Sequence, residues 1–79
     1  MKTVVEIITN ELLNHNIEEL IISTDEDWLY GKRVWLYIKN NQREEVEKVI
    51  NVITPMIKKT PSCTDYKIKD IKIFVKDWK

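Results

Sequence analysis

Glycine is almost missing from this 79-residue chain; Gly31 is the single one. Walker P-loops, dinucleotide fingerprints and the GxxG loop of KH domains need backbone amides close to phosphate, and side chains block that approach. Those classes are excluded. Cys63 and His15 are also single. One cysteine excludes an intrachain disulfide. One cysteine and one histidine cannot build the usual transition-metal clusters within one chain. A lone thiol fits a reducing compartment. Long apolar runs are missing as well. The longest is 34–38, far short of a bilayer span. Glu6 interrupts the N-terminal apolar stretch too early for a signal peptide. The expectation is a soluble, cytoplasmic protein without membrane contact. Alanine does not occur, whereas Ile occurs 12 times and Val 7 times. That bias suits an AT-rich coding sequence, as in many phages and low-GC hosts.

Catalytic signatures are equally sparse. Cys63 has no local nucleophile signature and lies far in sequence from His15. Ser23 and Ser62 lack a nucleophile-elbow context. The set of nucleophile, base and oxyanion donors stays unfilled, so the expectation is a non-enzyme with no catalytic residue and no cofactor. Asp25-Glu26-Asp27, with Glu18 and Glu19 nearby, offers carboxylates to a hard cation. The spacing matches no EF-hand, so the reading is a solvated acidic turn and no metal. His15 sits where a helix should end, and an imidazolium there is favoured by the helix dipole.

What is present is enough apolar material to fold. Hydrophobic residues make up 43%, above the level at which disorder is expected. The length allows one domain, residues 1–79. Thr3 to about Asn14 carries Val4, Val5, Ile8, Leu12 and Leu13 on one face at helical spacing. Thr3 with Glu6 has the capping-box pattern, and Asn14-His15-Asn16 reads as a stop. Glu19–Thr24 reads as a strand, Asp25–Asp27 as a polar turn, and Trp28–Lys39 as a second strand with Gly31 at a bulge or turn. Gln42 to about Lys59 reads as a helix with Val46, Val49, Ile50, Ile53, Met56 and Ile57 on its stripe. Pro55 either kinks that helix or starts a short second one. Asp65–Trp78 reads as the last strand. The expected fold class is therefore α+β, a single small domain in the order α-β-β-α-β. It has a three-stranded sheet and both helices packed on one face.

Such packing leaves the other sheet face open. Period-two alternation projects Arg33, Trp35, Tyr37, Lys39, Lys72, Phe74, Lys76 and Trp78 onto it. Four aromatics interleave with four cations. Trp, Tyr and Arg are typical anchors of protein interfaces. Aromatics with Lys and Arg also stack bases and neutralise phosphate on single-strand platforms. A third reading has the first helix on this face, with Trp35 and Phe74 as core. Charge is divided along the chain: residues 1–31 carry one base and seven acids, and residues 32–79 carry twelve bases and six acids. The totals cancel at 13 and 13, which counts against a dedicated phosphate binder. The functional expectation is a stoichiometric binding protein acting on a protein partner through these eight residues. A phage or mobile-element inhibitor, an adaptor and an immunity protein all fit. Single-stranded RNA or DNA binding on the same face is the alternative, and a homodimer is the second.

Overall fold

The computed structural model describes residues 2–17, 19–29, 31–39 and 42–78. The chain runs α1 (Lys2–Asn14), β1 (Leu20–Asp27), β2 (Gly31–Ile38), α2 (Arg43–Ile53), β3 (Met56–Lys59), β4 (Cys63–Ile68) and β5 (Ile71–Asp77). The expectation of one small α+β domain with two helices holds. The three-stranded sheet does not. The sheet has five strands in the order β1-β2-β5-β4-β3. The central pair, β2 and β5, is parallel, and the other three pairs are antiparallel.

Each departure has a local cause. Thr54 is extended, at φ −152° and ψ 146°, just ahead of Pro55, so α2 ends at Ile53. Met56–Lys59, read as the end of that helix, becomes the edge strand β3. The predicted last strand is a hairpin. Lys69-Asp70 closes it as a two-residue loop between paired Ile68 and Ile71, with Lys69 at φ 56°. Such tight loops need positive φ, and lysine is an uncommon residue to supply it. Asp25-Glu26-Asp27 is not a turn either. All three belong to β1, where Asp25 lies opposite Arg33 and Glu26 opposite Lys32. Opposed charges offset the poor strand propensity of acids. The turn follows instead, after Asp27, and Gly31 at φ 77° re-enters the sheet beyond it. Tyr30, assigned from sequence to the second strand, lies outside the described residues, as does Glu18 of the acidic cluster.

α1 begins at Lys2, so Thr3 lies inside the first turn rather than capping it. Its C-terminus matches the expected asparagine stop. Asn16 takes φ 61°, the Ile17 amide donates to the Leu12 carbonyl at 2.9 Å, and the Asn16 amide donates to Leu13 at 3.0 Å. This is the Schellman arrangement. His15 follows the helix and is exposed.

The core lies between the helices and one sheet face. Val4, Ile8 and Leu12 from α1 and Ile17 just after it meet Val46, Val49 and Ile50 from α2 over Val34, Leu36, Ile38, Ile71, Ile73 and Val75. The alternation in β2 and β5 follows from this: Val34, Leu36 and Ile38 of β2 and Ile71, Ile73 and Val75 of β5 point inward. α1 packs beside α2, so it does not cover Trp35 and Phe74. Among the described residues, no helix is long and apolar enough to cross a membrane.

Candidate functional site

The opposite sheet face carries the sequence-predicted residues. Strand register arranges them in rows, because directly opposed residues share a face. The first row is Asp25, Arg33, Lys72 and Lys67. The second is Ser23, Trp35, Phe74 and Asp65. The third is Ile21, Tyr37, Lys76 and Cys63. Beyond it the Trp78 amide donates to the Ile38 carbonyl at 2.7 Å, which extends the ladder and brings Trp78 and Lys39 to the end of the face. All eight predicted residues are thus brought onto one surface.

The aromatics are organised as two contacts. Trp35 and Phe74 stack across the parallel β2–β5 seam, with ring centroids 4.4 Å apart and planes 22° from parallel. Tyr37 and Trp78 meet edge to face at 6.0 Å. Cations lie against the rings. Arg33 and Lys76 stand 5.8 and 5.7 Å from the Trp35 centroid, and Lys39 stands 5.1 Å from that of Trp78. These are cation–π distances. Trp35, Tyr37, Phe74 and Lys76 are half-buried, and Lys39, Lys72 and Trp78 are exposed.

The first row is electrostatically uneven. Arg33 is ion-paired with Asp25. Lys72 has Arg33 on one side and Lys67 on the other. Like charges directly opposite destabilise a sheet, so this placement is not explained by folding. At the far end, Tyr37, Lys76, Asp77 and Trp78 with the Pro61-Ser62 turn enclose a groove of ≈ 530 Å³.

Cys63 faces the same surface, opposite Lys76, and its thiol donates to Asp65 at 3.2 Å. Burial and then the Asp65 carboxylate push its pKa up to about 11. It stays protonated at neutral pH, which disfavours nucleophilic chemistry. Ser23 stands opposite Trp35, and Ser62 lies in the turn before β4. Among the described residues, no three His, Cys, Asp or Glu side chains group as metal ligands.

Two features were not singled out from sequence. One is the tip of the β1–β2 hairpin. Trp28 is 94% exposed there and Leu29 62%. The Leu29 amide donates to the Asp27 carboxylate at 2.6 Å, which fixes the turn. The apolar pair between Asp27 and the only glycine was the available signal. The other is a charged cluster under α2. Arg43 bonds Glu47 at 3.3 Å, Asp77 at 3.1 Å and the carbonyls of Thr60 at 3.0 Å and Pro61 at 2.6 Å. Glu47 also accepts from Thr64 and, at 2.9 Å, from Lys59. Burial alone would raise the Glu47 carboxyl. The Thr64 hydroxyl, Lys59 and Arg43 more than reverse that, so its pKa lies below the ordinary glutamate value. The cluster ties α2 to β3, β4 and the turn between them. Its signal in sequence was the Arg43–Glu47 i, i+4 spacing.

Comparison with known proteins gives no match, whether to a family model, to a curated protein or to a solved structure.

Proposed function

We propose that this chain is a stoichiometric binding protein that engages an acidic surface of a protein partner through its uncovered sheet face. The carrying observation is the row arrangement. Two aromatic contacts lie at the centre and far end, and Arg33, Lys72, Lys67, Lys76 and Lys39 surround them. Trp35, Tyr37, Phe74 and Trp78 would supply buried area, and the cations orientation and steering. The unfavourable Arg33–Lys72–Lys67 row is relieved when carboxylates of a partner sit over it.

Single-stranded nucleic acid remains the second reading, favoured by the same cations beside stacked rings. Against it, Trp35 already has Phe74 and two cations about it. A base would have to displace one of them. Tagged wild-type protein and the Trp35→Ala and Lys72→Glu variants, used side by side as capture baits, test the proposal. A partner held by wild type and lost by both folded variants supports it. Quenching of tryptophan fluorescence by mixed-sequence single-stranded RNA, lost steeply as salt rises, would favour nucleic acid instead. Light scattering that gives about twice 9.5 kDa would favour self-association.

A further inference from the structure

The two edges of the sheet differ. β3 is four residues long, irregular between Met56 and Lys58, and ends in Lys58-Lys59. Short length, bulges and lysines are the usual guards against edge pairing. β1 is eight residues long, in continuous register with β2, and contains no proline or lysine. The Lys39 amide donates to the Glu19 carbonyl at 3.1 Å, which sets the phase of the β1–β2 ladder. Bonded and non-bonded pairs alternate from there, so Leu20, Ile22, Thr24 and Glu26 turn their N–H and C=O groups outward. Beside this edge, on the helix side, Thr9, Leu12, Leu13, Ile17, Leu20 and Ile22 line an apolar groove of ≈ 310 Å³. On the other side Ile21 is exposed.

We propose that the outer edge of β1 is a strand-addition site for an extended segment of a partner protein, basic at its start and apolar after it. The surface is separate from the open sheet face, and the proposal does not depend on that reading. The outward backbone groups supply the ladder, and the groove takes every second side chain of the guest. Charge selects the guest. The apolar half of the strand, Leu20–Ile22, is followed by Asp25-Glu26-Asp27. Antiparallel addition, the more stable mode, sets the guest's first residues against those three acids and its later residues against the groove.

A second copy of β1 fits poorly. Pairing over most of the length, with outward groups matched, sets Leu20 against Glu26 and Ile21 against Asp25. A slip that pairs the apolar halves about Ile22 sets Asp25 against Glu19.

The test uses an amide-detected NMR titration of the intact chain with a capped eight-residue peptide. The peptide has three lysines followed by alternating valine and threonine. Saturable shifts and slowed exchange are expected at Leu20, Ile22, Thr24 and Glu26. Thr24→Pro removes one outward N–H and leaves the β1–β2 ladder intact, so it should weaken binding about tenfold or more. Leu13→Lys charges the mouth of the groove without touching the ladder and should weaken binding as well. It serves as the second variant should Thr24→Pro not fold. A peptide with glutamates in place of lysines should bind more weakly than the lysine peptide at low salt. The proposal is overturned by a flat titration, by shifts confined to Trp35, Phe74 and their neighbours, or by unchanged affinity in the folded variants. Protection of the β1 amides that rises with protein concentration alone would make a second copy the guest, and would overturn it too.

Discussion

The two faces of one sheet are built from the same strands and serve opposite ends. Leu36 is fully buried under the helices, and its neighbour Trp35 points the other way into solvent and the Phe74 ring. On the covered face the buried side chains of β2 and β5 are all aliphatic, with Lys32 and Asp77 at the strand ends outside the core. On the uncovered face there is no aliphatic residue in those strands, only rings and cations. A domain this small has little apolar material to spare, so placing four aromatics outside the core is informative. The covered face holds the fold together, and the uncovered one is available for contact.

That contrast can be broken by substitution. Leu36→Ala should have the largest effect on folding, a loss of about 3 kcal/mol read by chemical denaturation. Next comes Glu47→Ala. It takes the carboxylate from the buried Thr64 hydroxyl and one of Arg43's two carboxylate partners, and should lower stability by about 2 kcal/mol, the part of the loss due to half-exposed Lys59 being screened by solvent. Trp35→Ala should remove only about 1 kcal/mol of stacking from the fold, yet weaken partner binding by about 2 kcal/mol or more. Should Trp35→Ala unfold the chain, the ring is core and the contrast between the faces fails. Smallest is Lys72→Glu, which breaks the cationic row. It should raise stability by about 0.5 kcal/mol and lower binding, a combination expected only of a face shaped for contact.

Acid sharpens the same picture from the other side. Glu47 has a folded-state pKa below its reference of 4.5. Its contribution is therefore complete above that reference and is lost as pH falls through the lower folded value. Thermal melts should show a fall in midpoint below about pH 4.5 that Glu47→Gln abolishes. Lys72→Glu should retain this fall.

The open face was legible because it rests on period-two alternation alone. Arg33 to Lys39 and Lys72 to Trp78 keep that period without interruption, so the register brings all eight residues to one side. The edges were not legible. Met56 and Ile57 continue the apolar stripe of α2, and periodicity cannot tell one more helical turn from a four-residue strand. Lys69-Asp70 carries no glycine or asparagine to announce a hairpin, and the acids of β1 stay in the strand through cross-strand partners Arg33 and Lys32 in β2. In each case a tertiary contact overrides local preference.

The Trp35–Phe74 stack has a consequence for the order of folding. Its two rings are contributed by strands that pair residues 39 positions apart, whereas the β1–β2 and β4–β5 hairpins close over a few residues. Local hairpins can form early, and the long-range parallel seam between them is the slow closure. No form of the chain with only its hairpins made carries the aromatic cluster. Indole fluorescence sensitive to that stack would report this slow closure, and a nascent chain could not present the assembled aromatic face until β5 had docked.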